Sequence, residues 1–184
     1  QMAEIERCKN NWQGVIEILS EPNKKLPRAD ILLRIAEAQK KLGNESEYHL
    51  SLEQADNLLK QEESSGSFGH QRDRIKLLLE RNASGDLQEA LKRVNSEIKI
   101  RNDLETLLIA SEVEIKNKNW EKAKKYLTKA ENSGVNDPKL FYFQGLIEEA
   151  IGNKEQAKKN YNKALKVNPY FDPDNVKYIK NFLG

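Results

Sequence analysis

A chain of 184 residues has room for one compact domain or for about five stacked helix pairs. Charged residues make up 33% and hydrophobic residues 38%, a balance that suits a thin array exposing much surface and argues against a thick apolar core. The net charge of +2 gives no ground for nucleic-acid or membrane binding, and a single cysteine, Cys8, excludes an internal disulfide framework and any multi-cysteine metal site.

No apolar run approaches the length of a membrane span, and nothing resembles a signal peptide. The chain begins with Gln1 rather than Met, so its natural start is expected to have been cut away. A removed signal peptide and a removed upstream domain both stay open; the expectation is a cytoplasmic chain, with export as the alternative.

Residues 1–28 read as a partial unit: a short, poorly patterned helix over 2–10, then Asn11-Trp12 and Val15 opening a second. That end is therefore expected to be poorly closed and open to self-association. Residues 29–62 supply the stripe Leu32, Ala36, Leu52 and Ala55 around a break at Gly43, with Tyr48 in a place that later units give to alanine. Residues 63–70 hold the Gly/Ser-rich stretch and read as a mobile loop. There Phe68 either anchors a partner or sits in a tolerated insertion. Residues 71–103 form a divergent unit with Leu78, Ala90, Val94 and Glu97.

Residues 104–137 carry Leu107, Ser111, Trp120, Ala123, Leu127 and Ala130. Residues 138–171 are the clearest unit: Phe141, Gln144, Gly145 and Glu148, a turn at Gly152-Asn153, then Ala157, Tyr161, Ala164 and Pro169. Ser111, Ala123 and Ala130 thus recur as Gly145, Ala157 and Ala164, each 34 residues on. Small residues at a fixed period allow close helix approach in stacked units. Over 172–184, Asp172-Pro173 starts a helix with Val176, Ile179 and Leu183 on one face, as a terminal cap requires.

Three turns share one grammar. Gly43-Asn44 is followed by Glu47, Gly85-Asp86 by Glu89, and Gly152-Asn153 by Gln156. Glycine ends one helix, the Asn or Asp caps the next, and the Glu or Gln is expected to return a bond to the cap.

The segment 138–171 resembles the tetratricopeptide repeat, with Gly145, Ala157, Tyr161, Ala164 and Pro169 at that family's places and with Gln144 and Glu148 as departures. The resemblance extends with falling specificity toward the middle of the chain. It implies an all-α fold: a right-handed α-solenoid of antiparallel helix pairs with a C-terminal capping helix. In this family the first helix of each pair lines a concave groove that binds partner peptides. Carried onto this chain, the groove row is Leu33, Ile75, Leu108 and Tyr142, flanked by Glu37, Leu79, Glu112 and Leu146, then Lys40, Asn82, Ile115 and Glu149. A partner with apolar anchors and some basic residues, matching Glu37, Glu112 and Glu149, is the expectation. The alternative is that some of these apolar residues are simply buried. The family's clamp for a C-terminal carboxylate is missing.

No catalytic constellation stands out. His49 and His70 lack second ligands at metal spacing and read as surface residues, and no metal site or cofactor is expected. Glu112, Glu114 and Lys116 read as a solvated face. Trp12 and Trp120 are either inter-helix packing or aromatic platforms. Lys118, Lys122, Lys125 and Lys129, with Lys154, Lys158, Lys159, Lys163 and Lys166, read as a basic outer surface, yet the small net charge argues against nucleic acid. The expected function is a non-catalytic protein-interaction module. The alternatives are a segment of a larger or self-assembling scaffold, or the recruiting arm of an enzyme whose catalytic domain lies upstream.

Overall fold

The computed structural model describes residues 1–66 and 69–184, which form eleven helices with no strand among them. Phe68 lies outside the described residues. The chain divides into two compact units, 1–86 and 87–184. Both are built of antiparallel helix pairs, so the fold class is that of an all-α solenoid.

In the first unit, α1 (Met2–Cys8) pairs with α2 (Trp12–Lys25), α3 (Ala29–Leu42) with α4 (Glu45–Ser64), and α5 (Gln71–Arg81) packs against α3 and α4. Helix α4 runs on to Ser64, so the loop expected over 63–70 begins two residues later. Leu32, Ala36, Leu52, Ala55, Leu59 and Leu77 form the core, with Ala36 and Ala55 fully buried. A helix interior closed by alanine is a close approach of two backbones, which larger side chains at those places would prop apart.

In the second unit, α6 (Asp86–Ile100, entering from the last residue of the first unit) is followed by α7 (Leu104–Lys116) paired with α8 (Trp120–Glu131). Next come α9 (Pro138–Ala150) paired with α10 (Lys154–Val167), and finally α11 (Pro173–Leu183). Ser111, Ala123, Ala130, Ala157 and Ala164 are all fully buried, which gives their 34-residue recurrence its physical cause. At Gly145 a Cβ would run into the ring of Tyr161. Asp103, Asp137 and Asp172 cap α7, α9 and α11 by accepting backbone N–H bonds.

One turn geometry joins the helices of four pairs. The left-handed residue is Asn10, Gly43, Lys118 or Gly152, with φ of 60°, 77°, 58° and 84°. Each is followed by an asparagine whose N–H donates to the carbonyl five residues back, at 2.8–2.9 Å, the outer bond of a Schellman motif. The asparagine amide also donates to the side chain five residues back in three of them: Asn11 to Glu6 at 2.6 Å, Asn44 to Gln39 at 2.7 Å, and Asn153 to Glu148 at 2.9 Å. Of the expected caps Asn153 holds and Asn44 does not, while Asn11 and Asn119, outside that turn pattern, cap α2 and α8.

The return bonds expected from the later Glu or Gln give way to helix-surface partners: Gln156 turns to Asn160 at 3.3 Å, and Arg93 donates to Glu89 at 2.7 Å. Asp86 departs further. It is the first residue of α6 rather than its cap, and it accepts a bidentate pair from Arg81 at 2.9 and 2.7 Å plus the Ala83 N–H at 2.8 Å. The five-residue pairing thus persists in the divergent unit with its polarity reversed.

Candidate functional site

The groove row falls on the first helix of each pair, but burial divides it. Ile75 is fully buried, and Leu79, Leu108 and Tyr142 are nearly so. Leu33, Glu37, Glu112, Leu146, Ile115 and Glu149 are half-buried. The alternative of simple burial therefore holds for four of the six apolar residues in the two leading rows. Leu33 and Leu146 keep part of their surface, Leu33 while packing on the core of its unit.

The acidic residues offered to a basic partner are engaged within the chain. Glu37 accepts from Arg7 at 3.4 Å. Glu112 accepts from Lys139 at 2.9 Å, and that ammonium also lies 5.1 Å from the Phe143 ring centre. Glu149 accepts from the hydroxyls of Tyr161 at 2.7 Å and Tyr178 at 2.9 Å. Each of these acids thus already has a partner within the chain.

Sequence spacing missed Arg7, Lys139 and Tyr178 because each comes from a neighbouring helix. The only signal was opposite charge some 27–30 residues away, legible once the register of adjacent units is known.

Around Glu149 the last pair meets α11. Tyr142 lies 6.1 Å from Phe171 and 6.2 Å from Tyr178, and Tyr161 lies 5.1 Å from Phe182, ring centre to ring centre. Burial pushes the hydroxyls of Tyr142, Tyr161 and Tyr178 up from their ordinary pKa, and the Glu149 carboxylate adds to the shift. Tyr142 and Glu149 thus hold the capping helix, and they present little to a partner.

Glu114, expected on a solvated face, has no exposed surface and pairs with Lys122 at 2.5 Å. The cause is its place at the inter-helix turn, where α8 closes over it. Burial is the largest single influence on Lys122 and opposes its charge, but Glu114 and Tyr126 together outweigh it and raise the ammonium pKa. Trp12 and Trp120 are half-buried as first residues of α2 and α8. His49 is exposed, and His70 is half-buried with Nδ1 3.2 Å from Glu62.

No cluster of three or more metal-ligating side chains occurs among the described residues, and none of their helices is long and apolar enough to cross a membrane.

The tetratricopeptide repeat family matches residues 138–171. The chain carries a tetratricopeptide repeat. No curated protein sequence matches it. Among solved structures it is similar to a thermophilic TPR protein from Thermus thermophilus. The TM-score is 0.66 at 20% identity, over 94% of this chain and 90% of that one. At that identity the likeness is one of fold. Tetratricopeptide repeats serve as protein-interaction or scaffold modules and typically carry no catalysis.

Proposed function

We propose that this chain is a non-catalytic protein-interaction module that holds a partner peptide by apolar anchors on the first helices of its repeats. The division into units ending at 28, 62, 103, 137 and 171 is part of this reading. In the second unit the seats are Ile115 and Leu146, bracketed by the Lys139–Glu112 pair; in the first, the seat is Leu33.

The carrying observation is the contrast at this face: apolar side chains retain surface while the acids beside them are already paired. Recognition therefore rests on apolar burial at about 25 cal/mol per Å² and little on charge. A photo-crosslinking residue placed at Leu146 should label a partner, and Leu146→Asp should abolish that partner's binding with the melting curve unchanged. Labelling that is equal from Leu146 and from Lys129 on the outer face of α8 would sink the reading.

A second reading is self-association through α1, favoured by Met2 and Ile5, which are 70% and 53% exposed on one side of that helix. Light scattering across a concentration range decides it, since a constant monomer mass excludes it.

A further inference from the structure

On the side of the second unit formed by α8, α9 and α10 there is a polar cleft of about 350 Å³, within the size range of small-ligand sites. We infer that this cleft is a second binding site, taking an acidic peptide segment through Lys124, Lys159 and Lys163. Three observations carry the assignment.

The field comes first. Helices α8, α9 and α10 together hold ten lysines against five glutamates, two of which, Glu131 and Glu148, line the cleft, and the net positive charge draws carboxylates.

The second is the state of the lysines. Lys159 has no ion-pair partner among the described residues. Lys124 reaches Glu148 at 3.2 Å and Lys163 reaches Glu131 at 3.7 Å, with both lysine side chains at least half exposed. The Lys163–Glu131 pair is exposed on both sides and worth about 0–1 kcal/mol, so exchanging that carboxylate for an external one costs little, whereas Lys124 also answers the buried Glu148. Lys163 is held in place from below by the Phe141 ring, 3.9 Å from its ammonium.

The third is what else lines the walls. Gln144, Gln156 and Asn160 supply amide donors and acceptors suited to a peptide backbone. Neither arginine nor an aromatic ring lines the cleft, so it lacks the planar fork that grips phosphate and the platforms on which bases stack. An acidic peptide fits this set of groups better than a nucleic acid does.

The test uses the full chain and a fluorescein-labelled eight-residue peptide of alternating Glu and Ser. A peptide with Gln for Glu and a single-stranded oligouridylate serve as comparisons. Saturable binding is expected, with NMR shifts confined to the backbone of residues 124–131, 144–148 and 156–163. Lys159→Glu, which removes no contact of the fold, should weaken binding about tenfold, and Lys129→Glu, the same charge change outside the cleft, less than twofold. Lys163→Gln provides a second loss without charge reversal. The inference is overturned by equal losses at 159 and 129, by equal binding of the Gln peptide, by no saturation at millimolar peptide, or by tighter binding of the oligouridylate. None of these outcomes touches the apolar seats at Ile115 and Leu146, which the crosslinking experiment tests separately.

Discussion

Gly145→Ala reverses the sign that helix propensity alone would give. In an exposed helix interior the change stabilises by about 1 kcal/mol, because alanine loses less backbone freedom on folding. Here the new Cβ would stand far inside van der Waals contact with Cε1 and Cδ1 of Tyr161. That ring has no easy retreat: it is fully buried, its hydroxyl donates to Glu149 at 2.7 Å, and Tyr178 and Phe182 stand 6.2 and 5.1 Å from its centre. Overpacking of this kind costs about 1–3 kcal/mol, so the net effect is a loss of up to about 2 kcal/mol. For a unit of this size each kcal/mol lowers the melting temperature by about 4–8 °C. Calorimetry reads the total, and amide exchange locates it in residues 138–183. The double change Gly145→Ala with Tyr161→Leu should be no less stable than Tyr161→Leu alone, because the clash has gone. A raised melting temperature for Gly145→Ala, or strict additivity in the double change, would refute the close approach of α9 and α10.

Ala157→Leu should lower the melting temperature by an overpacking cost of about 1–3 kcal/mol, while Lys158→Leu, exposed one residue on, should change it little; equal effects would mean that the helix register is wrong. Tyr178→Phe should cost about 1 kcal/mol by removing a hydrogen bond to Glu149, seen as faster amide exchange in 173–183 with α7 and α8 unchanged. Tyr142, Tyr161 and Tyr178 have pKa values raised by folding, so their contribution is complete below the unfolded value of about 10 and is lost as pH rises past it. Alkaline titration followed at the tyrosinate absorbance should show ionisation coupled to release of α11. Asp86 is shifted the other way: the Arg81 bond holds it below the ordinary carboxylate pKa, against the opposing effect of burial. Its stabilisation is therefore present above about pH 4 and disappears as pH falls through the folded value. Asp86→Asn should destabilise residues 1–86 by about 2 kcal/mol and flatten their acid unfolding in urea titrations at pH 2–5.

The recurrence of small residues at a 34-residue spacing marked the close contacts of α7 with α8 and of α9 with α10, because a buried helix contact tolerates no bulk and so leaves a mark at each repeat. Asp172 was open to reading, since a cap acts within three residues of itself; Asp103 and Asp137 cap α7 and α9 in the same way but were not singled out. The turns were half legible. Glycine revealed two of the four Schellman ends, while Asn10 and Lys118 hide the other two, because neighbouring bonds can force a left-handed conformation on residues that do not advertise it. The charges were not legible at all. Glu37, Glu112, Glu114 and Glu149 look alike along the chain, yet their neighbours are Arg7, Lys139, Lys122 and two tyrosines. A periodicity of 3.6 tells which face of a helix a carboxylate occupies. Whether that carboxylate is free depends on which helix lies across from it and in what register, and packing decides both.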